Sequence, residues 1–170
     1  MAKILIADDN DWVHRALSAL LAAQNWSVVG RAKSGLQAIA MAEEAGASAS
    51  GGLDLAILDI AMPEMDGLHA AAEILKKIPD LPIIAYTFHK SDALELEAKK
   101  TGIREVISKG DPPEMLIQTI RELLGRSSGI STTPDVQNSS NTSPPAETAA
   151  TSESPGPDET ENPSEASAKA

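Results

Sequence analysis

The sequence predicts an α/β fold in which five parallel strands alternate with five helices, (βα)5, and helices cover both faces of the sheet. Three observations carry this reading. Short apolar runs recur near residues 3–7, 26–30, 54–59, 82–87 and 104–108. The stretches between them place apolar residues at helical spacing, and strict alternation of the two patterns implies crossover connections and a parallel sheet. Two of the runs also end in carboxylates, at the strand ends where open α/β sheets place their ligands.

The first strand is Lys3-Ile4-Leu5-Ile6-Ala7, and it ends in Asp8-Asp9. Val13, Leu17, Leu20 and Leu21 then follow the i, i+4, i+7, i+8 pattern of a helix, with Asp11 as its expected N-cap. The second run, residues 26–30, opens on Trp26, which is expected in the core. Ser34 is the expected cap of the second helix, and Ala47-Ser48-Ala49-Ser50-Gly51-Gly52 reads as a flexible loop, longer than most αβ connections. The third strand, Leu55-Ala56-Ile57-Leu58, ends in Asp59. Met62-Pro63 and Gly67 mark a loop before a third helix striped by Leu68, Ala72, Leu75 and Ile78. The fourth strand, Ile83-Ile84-Ala85-Tyr86, ends in Thr87, and Ser91 caps the helix after it. The fifth, Val106-Ile107-Ser108, ends in Lys109. Asp111 as cap and Pro112 at the first helical position then start a helix carrying Leu116, Ile120 and Leu123.

Composition divides the chain of 170 residues near Arg126. Residues 1–126 carry 13 basic and 18 acidic side chains, and residues 127–170 carry Lys169 against seven acids, so the net charge of −11 falls as −5 and −6. In residues 127–170, rich in Ser, Thr, Pro and Glu, the large aliphatics are Ile130 and Val136 alone, too little apolar surface to offset ordering entropy. The expectation is a domain over 1–126 and a disordered tail over 127–170, too short and polar for a helix-turn-helix. Neither part shows the basic patch of a phosphate-backbone binder, so direct DNA binding is not expected. Zero cysteines exclude disulfides, thiolate chemistry and Cys-ligated zinc. With no signal-peptide h-region and no run of membrane-spanning length, a soluble cytoplasmic protein is expected. For the same reason the sequons at Asn138 and Asn141 carry no weight.

The carboxylates pose an electrostatic problem. In the flavodoxin-like strand order 2-1-3-4-5, strands 1 and 3 are neighbours at the topological switch point, which brings Asp8, Asp9 and Asp59 together. Like charges about 4 Å apart repel by roughly 4 kcal/mol per pair at an effective dielectric near 20. A cation must compensate them, and the candidates are a divalent metal and Lys109. Mg²⁺ suits a few carboxylates plus water and phosphate oxygens, with Asp9 and Asp59 as direct ligands. A carboxylate beside such an ion and an ammonium is placed to attack phosphorus, because neutralising the transferring oxygens is most of what phosphoryl transfer requires. Thr87 offers a hydroxyl at the same edge.

At these residues the chain resembles the receiver domain of two-component response regulators, of the type usually joined to a helix-turn-helix output. The matching segments are Ile4-Leu5-Ile6-Ala7-Asp8-Asp9, the block Leu58-Asp59-Ile60-Ala61-Met62-Pro63-Glu64-Met65-Asp66-Gly67, Ile83-Ile84-Ala85-Tyr86-Thr87, and Ile107-Ser108-Lys109. The resemblance implies that Asp59 accepts a phosphoryl group from a histidine kinase or phosphotransfer protein. It implies that Asp8, Asp9, Asp59 and the backbone carbonyl of Ala61 hold Mg²⁺, and that Thr87 and Lys109 bind the phosphoryl oxygens. Signalling would pass to a downstream protein target, with a homodimer through the fourth helix, fifth strand and fifth helix as a further expectation. Two positions differ from the family pattern. Phe88 stands where Ala, Gly or Ser is usual, which bears on access to Asp59. Val106 stands where Tyr or Phe is common, which bears on coupling to that same face.

A phosphorylation-independent interaction module with the same fold is the alternative, motivated by Phe88 and Val106. An aspartate-nucleophile phosphatase needs a second carboxylate two residues past the nucleophile, where this chain has Ala61, so a conventional enzyme is not expected. A flavin carrier fails because Asp8-Asp9 would repel the flavin phosphate. His14 and His69 are expected to be solvated on helices, His89 to lie at the site rim, and Trp12 at the rim or packed on the first helix.

Overall fold

A computed structural model describes residues 1–47 and 52–127. Its elements run β1 (Lys3–Ala7), α1 (Asp11–Ala22), β2 (Ser27–Ala32), α2 (Gly35–Gly46), β3 (Leu55–Leu58), α3 (Gly67–Lys77), β4 (Ile83–Thr87), α4 (Asp92–Thr101), β5 (Glu105–Ser108) and α5 (Pro113–Ser127). All five strands are parallel, in the expected order β2-β1-β3-β4-β5. Most of the loop expected at residues 47–52, and the expected tail beyond Ser127, lie outside the described residues.

Successive strand residues point to opposite faces, so the central strands bury both of their faces and feed two cores. Ile4, Ile6, Leu55, Ile57, Ile84 and Ile107 point to one side and pack with Val13, Leu17 and Leu21 of α1 and Leu116 and Ile120 of α5. Leu5, Ala7, Ala56, Leu58, Ile83, Ala85 and Val106 point to the other, beneath α2, α3 and α4. β2 is the edge strand and runs past the expected residue 30, because Arg31 and Ala32 pair with Ile6 and Ala7 despite interrupting the apolar run. The β1–β2 register shifts between Ile4 and Leu5, leaving Val29 outside the pairing and exposed.

Several local expectations are corrected. Asn10, not Asp11, caps α1, its side chain accepting from the Trp12 N–H at 2.9 Å. Asp11 enters the first turn, where a carboxylate favours the helix dipole, and pairs with Lys33 at 2.7 Å. Pro112 is not helical, because Pro113 follows it and disfavours the α conformation at the preceding residue. Asp111 therefore does not cap α5; its carboxylate accepts from the Ser108 N–H at 3.1 Å and closes the turn after β5. Ser34 and Ser91 cap α2 and α4 as expected. In α3 the fully buried residues are Gly67, Ala70, Ala71 and Ile74, while the expected stripe of Leu68, Ala72, Leu75 and Ile78 is only half-buried. Small side chains let this helix approach the sheet closely. Trp26 is likewise half-buried, packed on the edge of the α1/α5 core rather than inside it.

Candidate functional site

Each of the strands β1, β3, β4 and β5 delivers a site residue at or just past its C-terminal end. The Asp8 N–H still joins the ladder, donating to the Ala32 carbonyl at 3.0 Å, and the Asp59 N–H donates to the Ala7 carbonyl at 2.8 Å. The second bond ties the Asp59 backbone to the end of β1, beside Asp8. Carboxylate oxygens of Asp8, Asp9 and Asp59 consequently all lie within 4.8 Å of one another. Asp8 and Asp59 are buried, whereas Asp9 is exposed.

Lys109 bridges the two buried members. Its Nζ donates to Asp8 Oδ2 at 2.6 Å and to Asp59 Oδ2 at 2.7 Å, with its side chain only 5% exposed. Burial alone lowers the ammonium's pKa and is the largest single influence on it. The hydrogen bonds and charges of Asp59 and Asp8 together outweigh burial, so the group sits above lysine's ordinary value and stays charged. The backbone supports the other oxygens: the Asn10 N–H donates to Asp8 Oδ1 at 2.9 Å and the Ala61 N–H to Asp59 Oδ1 at 3.2 Å.

One ammonium against three carboxylates leaves two negative charges in a half-buried crevice. The donor set therefore fits a hard divalent cation: all oxygen, with spare lone pairs on every carboxylate and one exposed member through which an ion can enter. Ala61 lies on the loop that leaves Asp59, and the contact it makes there is through its N–H to Asp59 Oδ1.

The loop from Asp59 to α3 is tightly built. The Met65 N–H donates to the Pro63 carbonyl at 2.8 Å around Glu64, whose φ of 67° is left-handed, a γ-turn. The Gly67 N–H donates to the Ile60 carbonyl at 3.0 Å, and a Cβ at residue 67 would stand 2.0 Å from the Asp59 carbonyl oxygen. Only glycine allows that approach. Asp66 caps α3, its Oδ1 accepting from the His69 N–H and its Oδ2 meeting His69 Nδ1, both at 2.8 Å. Burial pushes the Asp66 carboxyl up, but the bonds from His69 outweigh this and hold it below its ordinary value. The same side-chain bond raises the His69 imidazole.

Thr87 closes β4 fully buried, its Oγ1 accepting from the His89 N–H at 3.3 Å, and its carbonyl accepts from the Lys109 N–H at 2.9 Å. Phe88 follows it, 67% exposed, with Lys109 Nζ 5.2 Å from the ring centroid. Phe88, Tyr86, Trp12 and Lys109 line a cleft of about 50 Å³ at the crevice edge. Trp12, 71% exposed, thus takes its expected rim position, and exposed His89 lies beside Thr87. Val106, by contrast, is buried in the core under α2, α3 and α4.

Two histidine readings separate here. His69 is exposed as expected, although paired with Asp66. His14 is not solvated: it is 4% exposed, and its Nε2 lies 2.7 Å from the Asp8 carbonyl oxygen. The signal that finds it is its place one helical arc from Leu17 and Leu21, at i, i+3 and i+7.

A family profile described as the response regulator receiver domain matches residues 4–121. The transcriptional regulatory protein YhcZ of Bacillus subtilis, itself called uncharacterized, is 34% identical over 131 residues, 76% of this chain and 58% of that protein. The chemotaxis protein CheY of Listeria monocytogenes is 29% identical over 122 residues, 72% of this chain and 98% of that protein. Among solved structures, a response regulator receiver domain from Clostridium thermocellum superposes with a TM-score of 0.67 at 26% identity, covering 75% of this chain and 97% of its own. The chain spans only 58% and 55% of the lengths of YhcZ and of the Pseudomonas aeruginosa response regulator GacA. No helix among the described residues is long and apolar enough to cross a membrane. With the profile matched over most of its length and the acidic crevice at the ends of β1 and β3, the chain belongs to the response regulator receiver domain family.

Proposed function

We propose that the protein is a cytoplasmic phosphoacceptor in a two-component relay, and that Asp59 is the residue modified. The observation that supports this most is the placement of Lys109 Nζ between Asp8 and Asp59, with the three carboxylates gathered beside it. An Asp59 carboxylate oxygen attacks the phosphorus of a phosphohistidine on a kinase or phosphotransfer protein. A P–O bond forms, the P–N bond breaks, and the donor imidazole keeps the electron pair. Hydrolysis of the resulting acyl phosphate returns the carboxylate and releases inorganic phosphate, so the protein acts as an acceptor rather than a conventional enzyme.

Asp8, Asp9, Asp59 and the Ala61 carbonyl would hold Mg²⁺, which when bound supplies charge neutralisation for the phosphoryl oxygens. Lys109 is oriented by Asp8 to meet one of those oxygens once the Asp59 charge is masked. The Thr87 hydroxyl donates to another, and that shift at the end of β4 changes the surface of β4, α4 and β5. A downstream protein that binds the two surfaces with different affinity reads the event. Pairing of two copies through α4, β5 and α5 is one such readout. A receiver domain of NtrC4 forms a dimer when activated by beryllofluoride.

The test uses beryllofluoride and Mg²⁺ as a phosphoryl mimic. Amide signals of residues 59–67, 87–89 and 109 shift in the wild type and not in Asp59→Ala. Absence of any Mg²⁺-dependent shift would sink the proposal. The buried aliphatic Val106 favours a second reading, a partner-binding module indifferent to phosphorylation. Its signature is equal partner affinity for wild type and Asp59→Ala.

A further inference from the structure

His14 is a buried ring that the phosphoryl chemistry does not use. It lies in the first turns of α1, 4% exposed, and reaches back six residues to the backbone of Asp8. That residue stands one position past β1. Its N–H still finds a ladder partner in Ala32, but pairing with β3 ends at Ala7 and Leu58, so its carbonyl has left the sheet. A buried carbonyl left without a partner destabilises the fold, because it has lost its water and gained nothing in exchange. His14 Nε2, 2.7 Å away, meets that need. A carbonyl only accepts, so Nε2 must carry the hydrogen. Nδ1 is then the ring atom without a hydrogen-bond partner among the described residues.

That contact holds the peptide joining Asp8 to Asp9. The same peptide sets the direction of both carboxylates: Asp8 is pinned to Lys109 Nζ and the Asn10 N–H, while Asp9 extends into solvent. We infer that His14 is a positioning residue for the acidic pair, fixing the Asp8–Asp9 peptide through its Nε2 bond to the Asp8 carbonyl and thereby setting the site's affinity for a divalent cation. The inference rests on reading Asp8, Asp9 and Asp59 as a cation site. Outer partners that orient metal ligands commonly change affinity by about 10- to 100-fold when removed. His14 acts through a backbone group, so about tenfold is expected.

The experiment titrates Mg²⁺ into the full chain by calorimetry, with wild type, His14→Leu, His14→Gln and Ser18→Ala. His14→Leu removes the donor and weakens Mg²⁺ binding about tenfold. His14→Gln keeps an N–H donor and recovers most of the loss. Ser18, whose buried hydroxyl also has no hydrogen-bond partner among the described residues, sits one turn further along α1 and away from Asp8, so Ser18→Ala binds as wild type does. Equal binding by wild type and His14→Leu, or equal weakening by Ser18→Ala, overturns the positioning role. No binding by wild type instead overturns the cation site itself. Nitrogen-15 spectra of the wild-type ring need no variant: they should show a protonated Nε2 and a bare Nδ1, with the ring signals moving on Mg²⁺ saturation. The opposite tautomer contradicts the inference.

Discussion

Asp9 is the exposed member of the acidic cluster and the one without a share in Lys109. Among the described residues it forms no ion pair, so its charge repels Asp8 and Asp59 at an energy reduced from the buried value by exposure to solvent. Asp9→Asn should therefore stabilise the metal-free protein by about 1 kcal/mol while weakening Mg²⁺ binding, read by urea unfolding in the presence of a chelator and by calorimetry. Phe88 lies against the other side of the same chemistry. Its ring stands 5.2 Å from Lys109 Nζ at the crevice mouth, a cation–π contact worth about 0.5–1 kcal/mol at an exposed position. Phe88→Ala opens the approach while Asp8 and Asp59 still hold the ammonium, so phosphorylation by a small donor such as phosphoramidate should quicken about two- to fivefold. An unchanged rate would mean that the ring guards nothing. Asp8, Asp9, Asp59 and Lys109 were legible in the sequence because each follows an apolar run, where hydropathy and topology together fix its place. For His14 the arc shared with Leu17 and Leu21 marks a buried position, but its role was not legible, because its partner is a backbone carbonyl. The aromatic contact of Phe88 was also out of reach, since residues 88 and 109 meet only through the pairing of β4 with β5.

Among the elements, α3 is the one most constrained by the site. It begins at Gly67, where a Cβ would stand 2.0 Å from the Asp59 carbonyl oxygen. Gly67→Ala must push the helix start and the Asp59 backbone apart, at a cost of about 1–3 kcal/mol. A lower urea midpoint with weakened Mg²⁺ binding is expected, and an unchanged midpoint would contradict the close approach. The cap of the same helix gives a pH signature. Asp66 raises the His69 pKa, so the ion pair contributes below the unfolded value of about 6.5 and is lost as pH rises through the higher folded value. NMR titration should place the His69 midpoint above that of an unstructured peptide. In Asp66→Asn, which keeps a capping side chain, it should fall back toward the ordinary value, Glu73 and Glu97 still raising it slightly. Serine caps at residues 34 and 91 were readable because each precedes a helical pattern in a polar connection. Asn10 was displaced by its neighbour Asp11, since either residue type can cap and only the backbone decides. The buried face of α3 differs from the expected stripe because three of its four buried residues are Gly67, Ala70 and Ala71, which carry too little hydropathy to mark a face beside leucines.

At the scale of the whole molecule, the crevice exists because the chain reverses direction across the sheet between β1 and β3. Helices α1 and α5 cover one face and α2, α3 and α4 the other, so β1, β3, β4 and β5 present their C-terminal ends to a common edge. The alternation of five apolar runs with five helical patterns made that architecture legible. Strand order was an expectation from the shared position of the carboxylates, and the pairing of Ile4 through Ala7 with Leu55 through Leu58 bears it out. The register shift in β2 could not be read, because Gly30 and Arg31 interrupt its apolar pattern at an edge where one side meets water. Everything assigned to the molecule's function converges on a single oxygen–phosphorus bond. The most direct measurement is intact-mass spectrometry with peptide mapping after incubation with Mg²⁺ and a phosphohistidine donor protein. The expected result is one added phosphoryl group, mapped to Asp59, absent without Mg²⁺ and absent in Asp59→Asn. A chain that stays unmodified with a donor competent toward another receiver, or that is modified equally in Asp59→Asn, would contradict the account.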